Sequence, residues 1–353
     1  MRPLREVHVI VPDGIDDPGR PSGGNAYDRH VLDELRSEGW RVHEHPVAGS
    51  WPRPDTGALA ALGAVVAGLP RDAVLFVDGL VACCADSVLV PEADRLHLVV
   101  LVHMPLGPTH PEAAAGEGRV LAAASGVVTT SDWTRQLLLE TYGLDPPAVH
   151  VARPGVDEAP LSPGTPSGGE LLCVAAVIPH KGHAELVAAL TLVADLPWRC
   201  VCAGALTLDP GYVADTRDQI HRAGLADRVH VVGPLTGAAL SEAYAAADRG
   251  RDDGEPSSQG LGHDHAVRLR ERGQHEEVGG VPEALGDTGD GRPGLLVPAG
   301  QPEPLAAALR SWLSDDELRA HLRQRAGERR RTLTRWAHTA ELVSGVLEGA
   351  RGD

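Results

Sequence analysis

The stretch at positions 171–190, LLCVAAVIPHKGHAELVAAL, decides how this chain is read. An apolar run at 171–177 meets a tight polar turn, Ile178-Pro179-His180-Lys181-Gly182. Leu186, Val187 and Leu190 then recur at helical spacing, so the segment predicts a strand, a turn and a helix N-terminus. Such a corner presents backbone N–H groups and the positive end of a helix dipole to a phosphate. Lys181 is also the sole lysine of 353 residues, against arginines everywhere else. A compact, mobile ammonium kept at a phosphate-ready turn is the first functional candidate. The competing reading is a surface lysine beside a helix cap; the turn and the rarity of lysine here favour function.

Composition bounds the rest. A length of 353 residues suits two domains, each able to bury a core. Apolar content of 42% and charged content of 23% are ordinary for a globular protein. A formal charge of -17 argues against a nucleic-acid or anionic-membrane surface. No apolar run approaches the ~18–20 residues of a membrane span. The apolar run Val7-His8-Val9-Ile10-Val11, behind Arg2 and Arg5, is too short for a signal sequence and reads as a first strand. Five cysteines, with Cys83-Cys84 adjacent and Cys200 and Cys202 on one face of a strand, lack zinc-site spacing. They read as buried thiols in a reducing cytoplasm, with no metal site expected.

In the first half, the strand at 7–11 leads into a loop ending Pro21-Ser22-Gly23-Gly24-Asn25. An amphipathic helix with Val31, Leu32 and Leu35 follows, closed by Gly39, and the next strand starts at Trp40. This is the doubly wound beginning. The Gly23-Gly24 pair at a helix N-terminus can hold an anion or admit a ligand to the backbone. A dinucleotide fingerprint G-x-G-x-x-G is absent. Strands at 73–77 and 97–102 follow, the second running into His103-Met104-Pro105 at the ligand-gathering carboxyl edge of a parallel sheet. His103 either donates to a sugar hydroxyl or phosphate, or satisfies a loop carbonyl. A strand at 126–130 precedes Ser131, which reads as an N-cap, and Gly143 as a C-terminal stop.

Positions 158–169, rich in Pro, Gly and Ser, form the clearest boundary. Beyond the Lys181 helix come a strand at 200–203 ending in Gly204, a helix at 212–223, a strand at 230–232 and a helix at 240–247. Gly279-Gly280 heads a further helix, and Gly294-Leu295-Leu296-Val297-Pro298 reads as a last strand. The arginine-rich run at 319–335 reads as a solvated helix face, and a final helix occupies 336–347. Between them the interval 249–277 holds only Leu261, Ala266, Val267 and Leu269 as aliphatic residues, with no aromatic one. A buried parallel strand needs a near-continuous apolar run, and none is there.

Taken in order, these motifs resemble the retaining GT-B glycosyltransferases of family 4. The resemblance rests on the Gly-Gly loop, the histidine after the fourth strand, Ser131-Asp132-Trp133-Thr134, Pro154-Gly155-Val156-Asp157 and Lys181-Gly182. It implies an α/β fold of two Rossmann-like domains facing a cleft, with C-terminal helices bridging back. The domains implied are an acceptor domain at 1–157, a linker at 158–169, a nucleotide-sugar donor domain at 170–335 and a returning helix at 336–353. The implied activity is transfer of a sugar from a nucleotide diphosphate to an acceptor with retention at the anomeric carbon. Lys181 and His103 take the catalytic roles. His180, Gly182, Gly204, Gly279 and Gly280 take donor-binding roles, and Gly23, Gly24 and Asn25 form an acceptor or phosphate loop. No metal or other cofactor is implied, in keeping with the lack of an Asp-x-Asp motif. The partners implied are a nucleotide sugar and a small-molecule, lipid or glycan acceptor, with peripheral membrane contact left open.

The chain departs from the family twice. Ala175 and Ala176 stand where an upstream arginine is usual, with His180 as a partial substitute. The Glu-x7-Glu donor motif is absent, its two positions falling near Ser257 and His265 in the aberrant interval. Preserved length with lost character points to a compensated frameshift; a disordered loop or a metal site of His263, His265 and His275 are the alternatives. A catalytically impaired relative that binds nucleotide or acceptor without turnover is therefore the second reading.

Overall fold

The computed structural model describes residues 5–157, 167–247 and 280–352. Most of the linker, the whole aberrant interval at 249–277 and Gly279 lie outside the described residues. The chain divides into two units by its contacts. The first is Met1–Asp16, Gly24–Gly155 and Thr334–Asp353, and the second is Asp17–Gly23 and Val156–Leu333.

Six parallel strands build the first unit: β1 Glu6–Pro12, β2 Arg41–Val47, β3 Val74–Asp78, β4 His97–Val102, β5 Gly126–Thr129 and β6 Val149–Val151. Their order is β2-β1-β3-β4-β5-β6. Helices α1 Gly23–Ser37, α2 Thr56–Ala67, α3 Gly79–Ala82, α4 Asp86–Leu89, α5 Ala114–Ala123 and α6 Asp132–Tyr142 connect them. All five residues of β3 are buried, because both sheet faces are covered. Leu75 and Val77 pack with Leu62, Val66 and Leu138 on one face; Val74 and Phe76 pack with Val31, Leu32 and Leu35 on the other. Each such side chain contributes roughly 1.5–3 kcal/mol on burial. Pro46 is tolerated in β2 because that strand is the sheet edge. From β1 the chain passes first to β2 on one side and then to β3 on the other. This reversal opens a ligand crevice at the carboxyl ends of β1 and β3.

The second unit holds the parallel sheet β7 Glu170–Val174, β8 Arg199–Ala203 and β9 Val229–Gly233, in that order. Its helices are α7 His183–Leu192, α8 Pro210–Arg222, α9 Gly237–Ala246, α10 Val281–Leu285, α11 Pro302–Ser314 and α12 Asp316–Arg330. Leu186, Val187 and Leu190 of α7 meet Cys200, Cys202, Ile220, Val229, Leu305 and Leu309 in one core, so the predicted apolar face is the buried face. The last helix, α13 Trp336–Gly349, belongs to the first unit, where Trp336, Val343 and Leu347 join Val7, Val9 and Leu35. Trp40 Nε1 donates to Ser344 Oγ at 3.0 Å and Thr339 Oγ1 to the Arg153 carbonyl at 2.7 Å. A Cβ on Gly155 would lie 2.3 Å from the Trp336 nitrogen, so only glycine lets α13 start against that corner.

Two sequence expectations change. Residues 294–298 form no extended strand among the described residues; Leu295 alone makes an isolated bridge. The apolar run at 171–177 is a strand only to Val174. From there Ala175 and Val177 donate to the Ala203 and Ala205 carbonyls as the chain bends into its turn. Among the described residues no helix is long and apolar enough to cross a membrane.

Candidate functional site

In the first unit the crevice at the strand reversal gathers three ionisable side chains. Asp28 comes from the second turn of α1, Asp78 ends β3 and His103 follows β4. His103 Nε2 lies 2.8 Å from Asp28 Oδ1 and 3.8 Å from Asp78 Oδ2. Both aspartates are buried, at 3% and 5% exposure, while the His103 side chain keeps 24%. Asp78 caps the short helix α3 by accepting from the Leu80 N–H at 2.6 Å. Burial pushes the Asp28 carboxyl up to about 7, against the pull of the neighbouring Asp78 and Arg29 side chains. Burial, with the neighbouring Asp28 charge, also raises Asp78 well above the usual carboxylate range. Burial lowers the His103 imidazole, and Asp78 opposes that shift. Two carboxyls this close cannot both ionise cheaply, so they share a proton. In the tautomer whose Nε2–H donates to an ionised Asp28, the Nδ1 atom of His103 is the acceptor.

The surroundings fix that imidazole. The Tyr27 ring meets it edge-on at 5.2 Å, and the Tyr27 hydroxyl is anchored on the Ala152 carbonyl at 2.8 Å. A Cβ on Gly24 would lie 3.2 Å from His103 Cδ2. The second glycine of the Gly-Gly loop therefore makes room for His103 at the helix start. Gly23 is the first residue of α1, and Asn25 Nδ2 donates to the Gly14 carbonyl at 3.4 Å, tying the loop to the helix. The ligand atoms of Asp28, Asp78 and His103 all lie within 4.8 Å of one another, near enough for a shared cation. The one hydrogen bond among the three, between His103 Nε2 and Asp28 Oδ1, and the raised carboxyls suit a site that holds a proton.

In the second unit, Pro179–Lys181 form a 3-10 turn and Gly182, at φ 72°, turns the chain into α7. That left-handed conformation favours glycine. Gly204 sits beside this turn: a Cβ there would lie 1.8 Å from the Ala175 carbonyl oxygen, so β8 and the turn touch backbone to backbone. Lys181 is half-buried and His180 exposed. Of the N–H groups at the head of α7, that of Ala184 donates to the Tyr212 hydroxyl at 3.1 Å. One of the amides expected to face a phosphate is thus already used. Gly280 precedes α10, and Gly279 lies outside the described residues. Ser131 caps α6, accepting from the Thr134 N–H at 3.0 Å, and Gly143 ends that helix in the left-handed conformation.

The structure thus joins Gly24 with His103 in one unit, and Lys181 with Gly182 and Gly204 in the other. Asp28 and Asp78 were missed in sequence. Each carried a signal: Asp28 shares a helix face with Val31, Leu32 and Leu35, and Asp78 closes an unbroken apolar strand.

No family model matches the chain. It is 32% identical over 262 residues to a D-inositol 3-phosphate glycosyltransferase of Kineococcus radiotolerans, a match covering 67% of this chain and 60% of that relative. Sucrose-phosphate synthase of Thermosynechococcus elongatus superposes with a TM-score of 0.71 at 18% identity, covering 98% of each chain. HepE of Anabaena, solved in complex with UDP-glucose, superposes with a TM-score of 0.70 at 14% identity, covering 97% of this chain and 99% of that one. Two Rossmann-like units, with parallel sheets and a C-terminal helix returned to the first, make this chain a protein of the GT-B fold.

Proposed function

We propose that the protein is a family 4 glycosyltransferase that moves a sugar from a nucleoside diphosphate to an acceptor hydroxyl with retention of anomeric configuration. The observation that carries the reading is Lys181 at the strand-turn-helix corner of a GT-B second unit. Breaking the bond between the anomeric carbon and the phosphate oxygen adds a negative charge to the diphosphate, and an ammonium beside the positive end of α7 stabilises it as it develops. The new bond forms to the acceptor oxygen, whose proton passes to the departing phosphate oxygen. No metal is needed for this step in the proposal. We assign donor binding to His180, Gly182, Gly204 and Gly280, with Gly279, outside the described residues, assigned by the resemblance alone; Gly23, Gly24 and Asn25 serve the acceptor or its phosphate. His103, held by Asp28, accepts a hydrogen bond from a sugar hydroxyl through Nδ1. Relatives named for inositol 3-phosphate make that polyol phosphate the first acceptor to try, and UDP-sugars the first donors.

The second reading, nucleotide binding without turnover, is favoured by one feature: the Glu-x7-Glu positions fall near Ser257 and His265. Assay of UDP-glucose and UDP-N-acetylglucosamine for transfer and hydrolysis separates the two. Turnover that falls about 100- to 1,000-fold in Lys181→Ala supports the enzyme. Nucleotide binding by calorimetry with no product supports the second reading. An inverted anomeric proton coupling in the product would overturn retention.

A further inference from the structure

The cysteines lack zinc spacing in sequence, yet the second sheet brings two of them together with a histidine. Cys173 of β7 and Cys202 of β8 are direct register partners. His183, the first residue of α7, sets its Nε2 3.9 Å from Cys173 Sγ. The two sulfurs and the imidazole nitrogen all lie within 4.8 Å of one another. His183 is 1% exposed, and its Nδ1 has no hydrogen-bond partner. Its other nitrogen meets only a thiol, a weak partner. Nε2, with only that weak partner, is the atom a metal shared with the two sulfurs would take.

We propose that Cys173, His183 and Cys202 form a Zn2+ site. Tetrahedral zinc takes sulfur at roughly 2.3 Å and nitrogen at roughly 2.0–2.1 Å, which sets ligand atoms roughly 3.5–3.8 Å apart. The observed separations, 3.9 Å between Cys173 Sγ and His183 Nε2 and no more than 4.8 Å for any pair, must contract to reach that range. On binding, each thiol gives its proton to solvent, and two thiolates with a neutral imidazole balance the dication, so no net charge is buried. Three protein ligands leave a fourth position for water or for Cys200, two residues before Cys202 on the same strand face. The ion would fasten the head of α7 to β7 and β8 immediately after the Lys181-Gly182 turn, fixing that turn. Its role is structural, separate from the transfer step proposed above.

The test is titration of reduced full-length protein with Co2+, followed by displacement with Zn2+. The expected result is one equivalent bound with a sulfur-to-cobalt charge-transfer band, lost in Cys173→Ser and Cys202→Ser and kept in the Cys83→Ser, Cys84→Ser double variant. Zn2+ should raise the wild-type melting temperature by several degrees and leave that of Cys202→Ser unmoved. Should a serine variant lack a cooperative melt, His183→Gln keeps both thiols and should bind Co2+ at least about tenfold more weakly. Absence of the sulfur band overturns the site, including the case of binding through histidines such as His8, His43 and His45 on β1 and β2. A band that survives both serine variants, or an undiminished affinity in His183→Gln, overturns it equally.

Discussion

At Gly204 a hydrogen in place of a side chain lets the backbone pass against Ala175 and Ala176, which lead into the Lys181 turn. Gly204→Ala must push the Ala175 carbonyl aside, and we expect a loss of about 3 kcal/mol in urea denaturation. Asp28 offers a test of a different kind. Its folded-state pKa is raised from 3.8 to about 7, so the folded protein holds a proton that the unfolded chain has released over that interval. The stabilising term is complete below 3.8 and is lost as pH rises through about 7. Asp28→Asn, neutral throughout, removes the dependence. The difference in melting temperature between wild type and Asp28→Asn should therefore move against the wild type by several degrees from pH 4 to pH 7. A parallel pair of curves would refute the shared-proton network.

At the scale of elements, α6 shows how local chemistry and function separate. Ser131 sits in a motif that the family resemblance singles out, but its hydroxyl accepts from the Thr134 N–H and also donates to Thr134 Oγ1 at 2.8 Å. Ser131→Ala should cost about 1 kcal/mol in stability and leave the KM for donor unchanged. The start of α7 behaves differently. Gly182 turns the chain, Tyr212 takes the Ala184 N–H, and Gln219 Nε2 donates to the Ala184 carbonyl at 2.9 Å. Tyr212→Phe frees that amide. If Ala184 is held only for structure, nucleotide affinity measured by calorimetry should stay the same or rise by no more than a few-fold; a loss of binding would show that Tyr212 itself positions the turn.

At the scale of the whole molecule, the first unit is completed by residues from the far end of the chain. Leu347 is fully buried beside Val7, Val9 and Leu35, and the Trp336 ring stacks on His30 at 4.3 Å. Leu347→Ala should cost 2–5 kcal/mol, roughly the range for a deleted core leucine, and lower the melting temperature of the first unit. The same variant should leave the Co2+ spectrum of the second unit unchanged, because that unit's core shares no residue with either core of the first among those described.

The sequence alone determined the strand-turn-helix corner at Lys181, the N-cap at Ser131, the helix stop at Gly143 and the apolar face of α7. Each is written in neighbouring residues, through 3.6-residue periodicity and through groups that bond within one turn. The glycine-glycine loop and His103 were also legible one by one. That Gly24 makes room for His103 was not, since the two stand 79 positions apart and meet only through the β1-β3-β4 order. The pairing of Asp28 with Asp78 and the gathering of Cys173, His183 and Cys202 likewise came only with the tertiary structure. Strand register and helix docking decide which distant side chains face one another, and no local pattern in the chain encodes that choice.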